Sequence, residues 1–177
     1  MIAIIIIAVL VLIFVIWAIS VTNNFKRKEI RVQESASGIE VALTKRYDML
    51  TKMLDVAKNY AKYEQETIFK SISLRKGMSI EDMNKATATM DNMSKEINLT
   101  AEQYPELRSS EVFVELQSGI RDAEEHLQAA RRLYNSSVRD FNTSIKMFTA
   151  SLLAGGRSAK EFFETEEYKK EDVKMSF

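Results

Sequence analysis

The 177-residue chain contains no cysteine, one proline, five glycines, one histidine and one tryptophan. Without cysteine there can be no disulfides, thiolate zinc sites, iron–sulfur clusters or cysteine nucleophiles, and the lack is compatible with either side of a membrane. So few proline and glycine breakers make long uninterrupted helices the natural consequence. The single histidine, His126, rules out the zincin HExxH pattern. It also rules out the paired Glu-x-x-His motif of di-iron bundles, because the residue three before it is Ala123. An excess of either charge is missing too, with 25 basic and 25 acidic side chains. A balanced surface of mixed sign gives no basic field for nucleic acid and no acidic field for basic partners. No strand-like segment precedes a glycine-rich phosphate loop, and the "AGG" at 154–156 reads as a helix terminator. Serine–histidine–aspartate catalysis would have to use His126 from a polar helix face. The chain is therefore read as non-enzymatic, with no catalytic residues, cofactor or metal.

Charged side chains are also absent from the first 25 residues, which begin MIAIIIIAVLVLIFVIWAIS. About 20 mainly apolar residues are needed to cross the hydrocarbon of a bilayer, and Ile2 to Val21 is that long. A cleaved secretory signal would carry a basic start and a shorter apolar core, although Ala18-Ile19-Ser20 could serve as a cleavage triplet. A buried core helix would show a polar stripe, and this segment has none. A retained transmembrane anchor over 1–25 is the expectation, with Trp17 near one interface. Lys26, Arg27, Lys28 and Arg31 follow directly, so the positive-inside bias puts the long C-terminal part in the cytoplasm and the N-terminus outside. The same four residues are candidates for contact with anionic lipid, each worth ~1 kcal/mol near a charged surface. The segment has no glycine and no GxxxG, so it reads as a tether more than a dimer seam.

Beyond the anchor, apolar residues recur with the period of an α-helix in three long stretches. The first runs through Ile39, Leu43, Tyr47, Leu50, Leu54, Ala57, Ala61, Ile68 and Ile72, and its helix is expected to continue from the anchor without a break. The second comprises Met83, Ala86, Met90, Met93, Ile97 and Ala101, with Ser79 placed to cap the amide of Asp82. Pro105 should end it, and "SSE" at 109–111 should open the next helix with cap chemistry. The third stripe, from Phe113 to Phe148, keeps a three-four alternation throughout. After the glycines, Ser158 is expected to start a short amphipathic helix containing Phe162 and Phe163. Each stripe must face another, and short connections favour antiparallel neighbours. The fold class is thus all-α, an elongated antiparallel up-and-down helical bundle over 26–169, followed by a tail at 170–177. The methionines read as core filler, and the four Asn-x-Ser/Thr triplets at Asn92, Asn98, Asn135 and Asn142 as incidental. Whether "KEFFETEEYKKEDVKMSF" is a docking peptide or a frayed end stays open.

Two stretches go beyond pattern: "KRYDMLTKMLDVAKNYAKYEQETI" at 45–68 and "YNSSVRDFNTSI" at 134–145. Together with "QYPELRSSEVFVELQ" and "FFETEE", they resemble the LemA family of bacterial membrane-anchored helical proteins over most of the chain. The resemblance implies a bacterial source, an N-terminal transmembrane helix and a cytoplasmic four-helix type of bundle, and the location expected is the bacterial inner membrane. It carries no established enzymatic activity, and some relatives look like participants in membrane or organelle organisation. Two prolines usual in the family are replaced here, by Thr51 and by Thr149 or Ala150, which favours straighter helices. The matching polar residues are Arg46, Asp48, Asn135, Arg139, Asp140 and Asn142, beside Tyr47 and Phe141. They read either as pairs that fix helix register or as a partner-binding seam. The partners expected are the lipid bilayer and another protein, with a homo-oligomer left open and no nucleic acid. The function expected is an interaction or scaffolding module, and the alternative is a lipid-surface or membrane-remodelling protein.

Overall fold

A computed structural model describes residues 1–60, 74–147 and 153–163. Among the described residues it is all-helical, with no strand. Its helices are α1 (Ile2–Lys58), α2 (Ile80–Gln103), the single-turn α3 (Pro105–Ser109) and α4 (Glu111–Lys146). At a rise of about 1.5 Å per residue, α1 is about 85 Å long and unbroken. Its first third is uncovered: Ile5, Val9, Leu12, Phe14 and Ile16 are all exposed, and this stretch is long and apolar enough to cross a membrane. Burial begins at Phe25 and continues through Val32, Ile39, Leu43, Leu50 and Leu54 to Ala57.

Side-chain pairs fix how the helices run. Lys28 reaches the main chain of Asp140, Arg46 pairs with Glu124, and Met49 lies against Gly119, so α4 descends antiparallel to α1. Glu40 sits beside Gly77 and Arg46 beside Asp91, so α2 climbs in the same direction as α1. Gln117 of α4 donates to Asn98 of α2 at 3.2 Å, consistent with these two running antiparallel. The second stripe, and the third as far as Ile145, lie where the periodicity places them, while Phe148 lies outside the described residues. Met83, Met90, Met93 and Ile97 of α2 and Phe113, Leu127, Val138 and Phe141 of α4 are buried in one core with α1. Burying a large apolar side chain stabilises by roughly 1.5–3 kcal/mol, so this seam holds the helices together.

Several local expectations are met and four are corrected. Ser79 caps α2, its hydroxyl accepting from the Asp82 amide at 3.0 Å, and Glu81 and Asp82 sit in the positive first turn. The first helix, expected to reach Ile72, ends at Lys58; Ala61, Ile68 and Ile72 lie outside the described residues. Pro105 does not simply stop α2: it starts α3 at the first helical position, where its missing amide costs nothing. Ser110 then takes the cap position of α4, but its hydroxyl bonds no helix amide, so the cap chemistry expected of "SSE" is absent.

The fourth correction matters most. Residues 157–163 form no helix. Gly155 and Gly156, at φ +58° and +74°, turn the chain in a backbone region that side-chain-bearing residues rarely adopt. The segment then runs back along α4 as an extended strap. Arg157 lies over the Phe25 ring at 5.2 Å, Lys160 pairs with Glu29 at 3.5 Å, and Phe163 is buried beneath Arg131. Along the α1–α4 pair, α2 therefore covers the half far from the apolar end, and the strap covers the near half.

Candidate functional site

The far half is organised around Arg46. It lies on the inner face of α1, one position before Tyr47, and its side chain is 3 % exposed. One guanidinium nitrogen donates to Asp91 of α2 and to Glu124 of α4, the latter at 2.9 Å. A single cation thus ties three helices at one level. Asp91 is 11 % exposed while Glu124 is 45 % exposed, so the bond to Asp91 is the desolvated one. Beside this knot lies an open groove of about 850 Å³ whose lining includes Arg121, Arg131 and Arg132 as well as Asp122 and Glu125. Its charges are mixed in sign, and His126 stands exposed on its rim.

The near half is organised around two asparagines. Asn142 accepts the Lys160 amide at 2.8 Å and donates to the Lys160 carbonyl at 2.9 Å. Asn135 does the same for Phe163, at 2.8 and 3.1 Å. The Tyr134 hydroxyl donates to the Glu161 carbonyl at 2.9 Å between them. The spacing explains the fit. Seven residues of helix rise about 10 Å, and three residues of extended chain span about 10 Å, so Asn135 and Asn142 meet Phe163 and Lys160 in register. Each amide side chain replaces the ladder partner that a lone extended strand lacks. Burial raises the Tyr134 phenol above its ordinary pKa, and the negative charge of Glu161 adds to the effect.

The polar residues singled out in the sequence therefore separate. Arg46 enters the three-helix knot, and Tyr47 is half-buried against the core. Asn135 and Asn142 hold the strap. The side chains of Asp48, Arg139 and Asp140 are exposed, and Asp140 meets Lys28 through its main-chain carbonyl at 3.2 Å. Lys26, Arg27 and Arg31 are exposed around α1 just past the apolar stretch. Asp91, Glu124 and Phe163 were not singled out as site residues. Asp91 and Glu124 each directly follow a stripe residue, Met90 and Ala123, a position from which a carboxylate reaches a neighbouring helix. Among the described residues no cluster of three or more acidic or histidine side chains is arranged to hold a metal.

Fold and site together define a class: a helical bundle whose first helix projects an uncovered apolar stretch of membrane-spanning length. The sequence model of the LemA family matches residues 35–177. A curated relative, Protein LemA of Metamycoplasma hominis, is 28 % identical over 137 residues, covering 75 % of this chain. The matched stretch is 63 % of that protein's length, so the chain spans under two thirds of this relative. The chain belongs to the LemA family.

Proposed function

We propose that this LemA family member is a single-pass membrane protein whose bundle, on the cytoplasmic side, acts as a non-enzymatic interaction or scaffolding module. The observation that carries this reading is the continuity of α1. One unbroken helix supplies both the uncovered apolar stretch and the buried stripe of the bundle core. With no hinge between them, the bundle is held at a fixed stand-off from the bilayer, which suits a platform for another macromolecule. The basic residues after the apolar stretch support the orientation, with the short N-terminus outside. The far end of the bundle exposes Leu99, Tyr104, Val112 and Val114, apolar side chains available to a protein partner.

The test is topology followed by capture. A cysteine placed at exposed Ser109 should resist a membrane-impermeant thiol reagent in intact cells and react after permeabilisation. A photo-crosslinker at Val112 should then trap a discrete protein adduct. Labelling of intact cells at position 109 reverses the orientation, and a purified full-length chain that turns over a small molecule ends the scaffold reading.

A further inference from the structure

We infer that the membrane-proximal end of the bundle is a composite collar for anionic lipid headgroups, assembled from three segments far apart in sequence. The inference rests on the anchored reading above and names what the base of the bundle touches. In sequence the only basic run after the apolar stretch is Lys26, Arg27, Lys28 and Arg31. The fold adds to it. The antiparallel register that sets Asp140 beside Lys28 and Glu124 beside Arg46 brings Lys146, at the end of α4, level with residues 22–24 of α1. Arg139 falls two turns above the same level, and both side chains are exposed. The strap brings Arg157 over Phe25 and Lys160 beside Glu29.

Charge divides accordingly between the two ends. Among the described residues, 22–33, 135–147 and 153–163 carry eight basic side chains against three acidic ones, Glu29, Asp140 and Glu161. The described remainder of the bundle, 34–60 and 74–134, carries twelve basic against fifteen acidic. The far tip is the acidic extreme, with Glu102, Glu106, Glu111 and Glu115 all exposed. Over the described residues, the bundle thus has a positive foot and a negative head.

Distance decides which charges matter. If Ile2 to Val21 fills the hydrocarbon, residues 22–27 lie in the headgroup zone, and the field of an anionic surface decays within about 8–10 Å. Six further residues of helix span about that length, so the collar is inside the field. The tip, about 50 Å up α1 from Phe25, is outside it. Three of the eight cations are partly engaged, Lys28 by the Asp140 carbonyl, Lys160 by Glu29 and Arg157 by the Ala154 carbonyl and the Phe25 ring. Among the described residues Lys26, Arg27, Arg31, Arg139 and Lys146 have no such partner, and their side chains are exposed.

The only tryptophan, Trp17, gives a built-in probe, since it sits about two turns below Phe25 on the same helix. The full-length protein, reconstituted into vesicles of phosphatidylcholine and phosphatidylglycerol, is quenched by bromination of one lipid or the other. Brominated phosphatidylglycerol is expected to quench Trp17 more than brominated phosphatidylcholine at equal fraction, with the preference fading as salt rises. The paired change Arg139→Glu and Lys146→Glu should reduce that preference by roughly fivefold or more. The distal pair Lys52→Glu and Arg108→Glu should leave it unchanged, and circular dichroism checks that each variant is folded. Equal quenching by both lipids overturns the collar while leaving the anchor intact. A preference lost with Lys26→Glu and Arg27→Glu but untouched by the α4 pair overturns its composite nature. Quenching by neither lipid overturns the anchored reading itself.

Discussion

The two halves of the bundle close the same α1–α4 seam by different means. The far half is covered by α2, the near half by an extended strap. A helix satisfies its own amides and carbonyls internally, so α2 needs only an apolar stripe to dock, and Met83, Met90, Met93 and Ile97 supply it. An extended segment brings unpaired backbone groups with it. It stays only where α4 provides partners, and Asn135, Asn142 and Tyr134 do so. The comparison teaches that polar residues on an otherwise apolar face mark where the neighbouring element is not a helix. Arg46 is the exception that sharpens this: it binds two helices, but through charge and not through their backbones.

The sharpest way to break the comparison is to remove a polar group from each half and ask which half responds. Arg46→Ala leaves Asp91 largely buried without this cation and should destabilise the whole bundle by about 3–5 kcal/mol. Thermal unfolding followed by circular dichroism would register a large fall in Tm. A Tm within a degree or two of wild type would mean the knot is dispensable. The next effect in size is expected from Asn135→Ala with Asn142→Ala. Four side-chain bonds to the strap are lost, each worth about 0.5–1.5 kcal/mol net. Hydrogen exchange should rise at Lys160 and Phe163 while the amides of α2 keep their protection; equal loss in both halves would show that they are one cooperative unit.

The smallest effect separates the halves by pH. The Tyr134 phenol has its pKa raised, first by burial and then by Glu161, so the folded state favours the neutral, donating form. Its contribution is complete below the ordinary tyrosine value of about 10 and is lost as pH rises through the higher folded value. Raising pH past 10 should therefore loosen the strap first, seen as faster proteolysis near residues 157–163, and Tyr134→Phe should remove that pH dependence.

Much of this was legible in the linear chain. The stripes of α2 and α4, the Ser79 cap and the uncovered apolar start all follow from periodicity and cap chemistry. So did the family, from the Arg-Tyr-Asp and Tyr-Asn-x-x-Val-Arg-Asp segments. The strap was not legible, because "SAKEFF" has a helix-compatible pattern and its partners lie 18 and 28 residues back on α4. Nothing local announces that Asn135 and Asn142 will outbid the segment's own helical hydrogen bonds. The roles of Arg46, Asp140 and Arg139 looked alike for the same reason: each flanks an apolar stripe, and only packing decides which is enclosed.

By itself, then, the order of residues determined that this protein is helical, which faces of its helices are apolar, and that its first twenty residues suit a membrane. Those properties arise from neighbours within a few positions of each other. The tertiary structure alone decided that α2 runs beside α1 in the same direction, that an extended segment closes the near half, and that basic residues from 26–31, 139–146 and 157–160 gather at one end. These depend on contacts between groups distant along the chain, which no local pattern encodes.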